Sequence, residues 1–182
     1  EKLFTESSEI TGDNVSADIT GLIGQYAHGN EPSHHIAYMF NHANQPWRTQ
    51  YWARHIMDTQ YNTTPNGLSG NEDCGQMSAW YVLSSIGLYP MNPASGEYEI
   101  GSPIFEKSTI KLPENKTFMI EAEYVSHTNF YIQSATLNGK PFTKTTLSHQ
   151  DILKGGTLHF VMGNKPNKNW GIKNKAQQLT KK

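Results

Sequence analysis

The chain has 182 residues, of which 36% are hydrophobic and 11% aromatic, enough apolar material for one large domain or two small ones. Fifteen basic and sixteen acidic residues leave a formal charge of −1, so the basic surface that nucleic-acid binding requires is missing. No apolar run approaches the roughly 20 residues that cross a bilayer, so no membrane partner is expected.

The first part of the chain has the pattern of helices. Up to Pro90, apolar residues recur at helical spacing, which predicts three helices joined by short loops at residues 34–43, 46–61 and 77–86. In the first of them, Ile36, Met39 and Phe40 should share one face. Gly87 is well placed to cap the third. Helices joined in this way form antiparallel hairpins.

The second part of the chain has the pattern of strands. After Pro90, short stretches alternate apolar and polar residues, which predicts strands at 97–100, 108–112, 117–123, 130–137, 143–146 and 157–162. Asn138-Gly139 should form a hairpin turn, residues 148–153 one helical turn, and the tail from Asn164 should fray. We therefore expect an α+β chain, with helices at residues 1–90 and an antiparallel sheet or sandwich at 91–182.

A first polar motif, HGNEPSHH at residues 28–35, stands at the start of the first predicted helix. Pro32 fixes the local backbone and Gly29 permits a close approach, so the oxygens of Asn30 and Glu31 would be held in a fixed orientation. Hard oxygen donors at a fixed turn suit Ca²⁺. An ordinary helix start explains the same residues equally well.

Three histidines belong to this motif, namely His28, His34 and His35. Adjacent residues on a helix point about 100° apart, and no His-x-x-x-His pair or Cys-x-x-Cys accompanies them, so the spacing does not favour zinc. Hydrogen bonding to a sugar hydroxyl, or helix capping, is the better interpretation.

A second polar motif, GNEDCGQ at residues 70–76, places the adjacent carboxylates Glu72 and Asp73 beside Asn71 and between glycines. A glycine-flanked acidic loop can bring a carboxylate close to water, as general-base catalysis requires, and Asp73 is the candidate base. The alternative is that both carboxylates are first-turn residues that only favour the helix dipole. Cys74 should be a small buried residue, because no partner motif indicates an activated thiol.

Both motifs, together with Gln45-Pro46-Trp47 and Gly101-Ser102-Pro103, resemble glycoside hydrolase family 92. The resemblance extends from about Gly21 through residues 163–167, and it is specific because long motifs recur in the same order. It implies the terminal helical hairpins of an (α/α)₆ barrel followed by β-structure. It also implies an inverting, calcium-dependent exo-α-mannosidase that removes terminal mannose from glycans, with an expected α-1,2 preference.

The resemblance also implies roles for individual residues. Asp73 would be the catalytic general base, and Asn71, which replaces a second acidic residue of some members, would position the water. Glu31 would help to hold the Ca²⁺ that contacts mannose hydroxyls, with His28 and Asn30 binding substrate nearby. The family's general acid lies upstream. We therefore expect a C-terminal fragment that is inactive without the N-terminal part of the same polypeptide.

The expected location is the bacterial periplasm or the medium, and a lone cysteine is compatible with both. A competing interpretation is a calcium-dependent carbohydrate-binding module without catalysis. A third is a structural or interaction domain, which would bind neither calcium nor mannose.

Overall fold

The computed structural model describes residues 1–13, 15 and 19–172. Within these residues, no helix has the length and apolar character needed to cross a membrane. Short 3₁₀ turns occur at Glu31–Ser33, Ile36–Tyr38 and Pro93–Ser95. The α-helices are α1 (Lys2–Thr5), α2 (Met39–His42), α3 (Pro46–Gln60), α4 (Gln76–Ser85) and α5 (His149–Leu153).

Helices α3 and α4 confirm two of the predicted helices to within one residue at each end. Helix α3 begins at Pro46, whose fixed φ suits a first turn, and the preceding Asn44 turns the chain with φ 60°. After α4, Gly87 adopts φ 85° and its N–H donates to the Ser84 carbonyl (2.9 Å), which ends the helix as expected.

The predicted helix at 34–43 is wrong in form, and its predicted inner face is right for Ile36 and Phe40, which pack against the core, but wrong for Met39. One 3₁₀ turn leads into α2, which is only four residues long. Tyr38 and Asn41 are buried, whereas Met39, expected on the inner face, is 51% exposed. Tyr38 stacks on Tyr89 with 4.8 Å between ring centroids. Tyr38 and Asn41 therefore share the buried side with Ile36 and Phe40, and Met39 faces solvent.

The strands form three sheets. The strands are β1 (Leu22–Ile23), β2 (Tyr26–Ala27), β3 (Leu88–Tyr89), β4 (Glu97–Ile100), β5 (Lys107–Lys111), β6 (Thr117–Glu123), β7 (Tyr131–Leu137), β8 (Lys140–Pro141), β9 (Thr146–Ser148) and β10 (Gly156–Gly163). Strands β1 and β2 form a hairpin, a second sheet has the order β3-β4-β9, and a five-stranded sheet has the order β5-β6-β10-β7-β8.

Two details of the β part differ from the prediction. Strand β10 pairs antiparallel with β7 but parallel with β6, because it inserts between them after the chain has visited the smaller sheet through β9. The strand expected at 143–146 lies at Thr146–Ser148, where Leu147 is fully buried against β4. The Asn138-Gly139 turn is confirmed, with φ 52° and 76°, the left-handed pair that a type I′ hairpin needs.

The buried apolar residues form two clusters. In the sheet cluster, alternate residues of β6 and β10 point inward and include Phe118, Ile120, Leu158 and Phe160. The helical cluster is built mainly from aromatic side chains, among them Tyr26, Tyr38, Trp52 and Trp80.

Buried polar side chains of α3 join the helices to the β part. Arg54 donates to the carbonyls of Pro103 (3.1 Å) and Ser126 (2.7 Å), and the Ile132 N–H donates to the Gln50 side chain (3.0 Å). The domain boundary proposed at residue 90 stays a prediction.

The expectation that the chain frays from Asn164 is wrong for residues 164–172. Trp170 is only 5% exposed, and its indole N–H donates to the Phe142 carbonyl (3.2 Å). Asn167 donates to the Gln133 carbonyl at 2.7 Å. Buried aromatic area and paired amides therefore fasten this segment to the sheet. The rest of the predicted tail lies outside the described residues.

Candidate functional site

The two polar motifs are far apart in sequence and lie in direct contact in the fold. A Cβ atom at Gly29 would overlap the Thr20 hydroxyl and the Ser69 carbonyl. A Cβ atom at Gly70 would lie 2.9 Å from the Gly29 carbonyl oxygen, and Gly70 has φ 121°. Only glycine allows the two backbones to approach this closely. The close approach predicted for Gly29 therefore has a structural reason, and Gly70 lies on the other side of the contact.

A buried histidine links the first motif to helix α4. His28 is fully buried, with Nδ1 2.8 Å from the Tyr26 hydroxyl and Nε2 2.6 Å from the Tyr61 hydroxyl. Because Tyr61 donates its proton to the Met77 carbonyl (3.0 Å), it accepts from Nε2–H, and Tyr26 donates to Nδ1. Burial, with a smaller effect of His34, lowers the pKa of His28 to about 3, so the ring is neutral.

This environment changes the role expected for His28. The side chain was predicted to bind substrate, but it has no exposed surface and both ring nitrogens are occupied by tyrosine hydroxyls. A sugar hydroxyl cannot reach it without breaking these bonds. His28 therefore holds the motif in place, and its predicted contact with substrate stays untested.

A second buried histidine extends the same network. His34 donates from Nε2 to the His28 carbonyl (3.0 Å), and its Nδ1 lies 3.2 Å from the side-chain amide of Gln76, the first residue of α4. The indole of Trp80 donates to the His34 carbonyl at 3.1 Å. Burial lowers the pKa of His34, against the opposing effect of its bond to His28. The remaining histidine, His35, is exposed.

The carboxylates of the second motif have opposite environments. Glu72 accepts two hydrogen bonds from Ser78, one from its N–H (2.9 Å) and one from its hydroxyl (2.8 Å). Asp73 is exposed, and its carboxylate bonds no group of the described residues. Asn71 is also exposed, two residues before Asp73. Glu72 alone has the helix-start role that the alternative interpretation gave to both carboxylates, because Ser78 is the third residue of α4.

The backbone between these carboxylates and α4 is left-handed. Asp73, Cys74 and Gly75 have φ 41°, 58° and 88°. This turn lifts residues 73 and 74 away from the helix, so neither belongs to its first turn. The prediction that Cys74 is buried is wrong for the same reason, since its side chain is exposed.

Glu31 is the residue with the strongest indication of a missing partner. It opens the 3₁₀ turn Glu31–Ser33 directly after the extended Asn30, and its Oε1 is buried without a hydrogen-bond partner among the described residues. A buried, unpaired carboxylate oxygen is costly, and a cation would offset that cost. A hard oxygen at a fixed turn fits Ca²⁺.

A calcium ion at Glu31 would need further oxygen ligands. Across residues 1–13, 15 and 19–172, no group of three or more His, Cys, Asp or Glu side chains is arranged to hold a metal. Calcium takes about six to eight oxygens, and amides, backbone carbonyls, water and ligand hydroxyls all qualify. Asn30, which is half-buried beside Glu31, offers an amide oxygen of this kind.

An open cavity lies beside the second motif. Its volume is about 500 Å³, and its lining includes Tyr61, Thr63, Pro65, Leu68, Ser78 and Tyr81. The indole rings of Trp52 and Trp80 do not line this cavity, because they are buried in the core.

Sequence reasoning missed Tyr26 and Tyr61, which hold His28. Tyr61 lies 33 residues from His28, and no spacing rule connects the two positions. Tyr26 is separated from His28 by one residue, and this spacing, which places two side chains on one face of an extended chain, was the available signal.

Two loops with acidic side chains, one carrying Glu31 and the other Glu72 and Asp73, thus meet through the contact of Gly29 with Gly70. The model of the glycosyl hydrolase family 92 catalytic domain matches residues 1–164. The chain therefore belongs to glycosyl hydrolase family 92.

Solved structures agree with this assignment. The family GH92 α-mannosidase BT3965 from Bacteroides thetaiotaomicron is 43% identical over 94% of the chain, with a TM-score of 0.84. Its complex with mannoimidazole gives 45% identity and a TM-score of 0.87 over the same share. The family GH92 inverting mannosidase BT2199 from the same organism is 46% identical over 82% of the chain, with a TM-score of 0.78.

A curated relative is named an uncharacterized secreted glycosidase of Arthroderma benhamiae, and it is 37% identical over 146 residues, or 79% of the chain. The chain spans between 19% and 22% of the length of these relatives. The mixed helix and sheet architecture agrees with the family, while the complete (α/α)₆ barrel stays a prediction.

Proposed function

We propose that this chain supplies the general base and the calcium-binding side of the active site of an inverting, calcium-dependent exo-α-mannosidase. The observation that carries the proposal is the contact between the two motifs at Gly29 and Gly70. That contact brings the loop of Glu31 and the loop of Asp73 into one neighbourhood. Membership in family 92 and the similarity to α-mannosidases support mannose as the sugar.

Asp73 takes the proton from the attacking water. Its carboxylate is exposed and bonded to no described group, so it is available as a base. The amide of Asn71 positions the same water. Inversion needs an acid about 6.5–9.5 Å from the base, and the acid comes from a part of the polypeptide outside these 182 residues. The isolated chain is therefore expected to be inactive.

Glu31, with Asn30, would hold the calcium ion. When bound, calcium would coordinate hydroxyls of the terminal mannose and favour a distorted ring. Within this loop, Asn30 is the candidate for contact with substrate. His28 supports the loop through its hydrogen bonds to the hydroxyls of Tyr26 and Tyr61. The calcium affinity of the full-length enzyme should fall in Glu31→Gln, as measured by isothermal titration calorimetry.

The proposed substrate is a glycan with a terminal α-1,2-linked mannose. The secreted relative supports a location outside the cytoplasm. The proposed location is the periplasm or the medium of a bacterium.

Asp73→Asn in the full-length enzyme tests the assignment of the base. With an aryl α-mannoside and calcium, kcat should fall by about 10²–10⁴-fold while KM changes little. Asn71→Ala, the matched neighbouring variant, should lose less because it keeps the base. Proton NMR during the first turnovers should show β-mannose before the α anomer. Unchanged kcat in Asp73→Asn would remove Asp73 from the mechanism.

Calcium-dependent mannose binding without turnover by the full-length protein would favour the carbohydrate-binding module instead.

A further inference from the structure

The two adjacent carboxylates of the second motif are chemically alike, and the fold treats them differently. Both oxygens of Glu72 accept hydrogen bonds from Ser78, at 2.9 and 2.8 Å. The Asp73 carboxylate is exposed and bonds no group of the residues that the structure describes, and Asp73 is held only through its carbonyl, which accepts from the Gln76 N–H (3.2 Å). The fold thus ties the Glu72 carboxylate to the start of α4 and leaves the Asp73 carboxylate to solvent.

The backbone next to Glu72 is held in an unfavourable conformation. Asp73 and Cys74 carry Cβ atoms at φ 41° and 58°, in the left-handed region that such residues rarely adopt. Strained conformations persist only where the surrounding structure over-determines them, and they cluster at functional sites. Some contact must therefore hold residues 73–75 in this turn.

Glu72 supplies that contact at both its main chain and its side chain. Its carbonyl accepts from the N–H of Gly75 (3.2 Å) and of Met77 (3.4 Å), and its carboxylate holds Ser78. Glu72 thus forms hydrogen bonds with Gly75, Met77 and Ser78, which lie at or just before the start of α4. The intervening residues must loop outward, and Asp73 stands on that loop.

We propose that Glu72 is a positioning residue whose contacts with Ser78 hold the left-handed loop that presents the Asp73 carboxylate to water. This rests on the proposed function, in which Asp73 is the base. Glu72 touches neither substrate nor water in this role and acts only through Asp73.

A pair of substitutions in the full-length enzyme separates positioning from catalysis. Glu72→Gln keeps the size of the side chain, and its amide can still accept from the Ser78 N–H and donate to the Ser78 hydroxyl. Glu72→Ala removes both bonds. We expect kcat to fall about 100-fold in Glu72→Ala, with KM little changed, and to stay within about 10-fold of the parent in Glu72→Gln. A catalytic carboxylate would not be rescued by the amide.

A double-mutant cycle tests whether Glu72 acts through Asp73. Adding Glu72→Ala to Asp73→Asn should cause little further loss, because the group that Glu72 positions is already gone. If Glu72→Ala does not fold, Ser78→Ala replaces it in the cycle, since it removes only the hydroxyl that binds Glu72. The kcat of Ser78→Ala should be lower than that of the parent, with KM unchanged. In the Asp73→Asn background, the same substitution should cause little further fall in kcat.

The outcomes distinguish the two proposals. Full activity of Asp73→Asn would overturn the proposed base and the positioning role with it. An inactive Asp73→Asn, together with a Glu72→Gln variant as inactive or as unfolded as Glu72→Ala, would overturn only the positioning role. Fully multiplicative losses in the double mutant would do the same.

Discussion

The neutral, buried state of His28 predicts a specific dependence of stability on pH. The pKa of His28 is about 3 in the folded chain and about 6.5 in an unfolded one. Between these two pH values, the His28 ring is protonated in the unfolded chain and neutral in the folded chain. The stabilising contribution of neutral His28 to the free energy of unfolding is therefore complete above pH 6.5 and is lost as the pH falls toward 3.

The magnitude follows from the two pKa values. Lowering the pH from 7.5 to 5 should reduce the free energy of unfolding by about 2 kcal/mol through His28 alone. His34, whose pKa is also lowered by burial, acts in the same direction. A comparison with His28→Gln isolates the one residue, because the contribution of His34 to the pH dependence largely cancels between the two proteins.

Urea unfolding followed by tryptophan fluorescence, at pH 7.5 and at pH 5, measures the effect. His28→Gln should be less stable at pH 7.5, because a hydrogen bond to Tyr26 or Tyr61 is lost. Its further loss at pH 5 should be smaller than that of the parent by about 2 kcal/mol. An equal loss in both proteins would show that His28 is not held neutral, and the hydrogen-bond assignment would be wrong.

Two further predictions concern packing, and both are measured by urea unfolding. Gly29→Ala should lower the free energy of unfolding by more than about 3 kcal/mol, because the new Cβ meets backbone; Gly96→Ala, with φ 66° and nothing within 4 Å, should cost only about 1–2 kcal/mol. Trp80→Phe should cost about 2–3 kcal/mol, since it leaves the His34 carbonyl unpaired; Val82→Ala, on an exposed position of the same helix, should cost less than about 1 kcal/mol. Equal losses of unfolding free energy in Gly29→Ala and Gly96→Ala would contradict the close backbone contact at Gly29. Equal losses in Trp80→Phe and Val82→Ala would contradict the stabilising role of the Trp80 indole.

Local patterns predicted most of the elements because local chemistry determines them. Pro46 and Gly87 mark helix ends, and Asn138-Gly139 marks a turn, through their own backbone preferences. The errors arose where distant contacts decide. The burial of Tyr38 depends on its stacking with the distant Tyr89, and the parallel pairing of β10 depends on the whole order of the sheet.

The site was only partly predictable, for the same reason. The motifs themselves are contiguous, so Glu31 and Asp73 could be named as candidates from sequence. The tyrosines that occupy both nitrogens of His28 come from different segments, and only the fold brings them there. Without them, a histidine in a polar motif is indistinguishable from one that binds sugar.

Hydrogen-bond occupancy is the property that separates functional from supporting residues in this site. Both ring nitrogens of the buried His28 and both carboxylate oxygens of Glu72 are hydrogen-bonded inside the protein, and these bonds hold their loops in place. Glu31 keeps one buried oxygen unpaired, and Asp73 is held outward on a strained turn. Unsatisfied groups are unfavourable unless something else binds them. Because the supporting residues leave these two carboxylates unpaired, a cation and a water molecule are the partners that they suit.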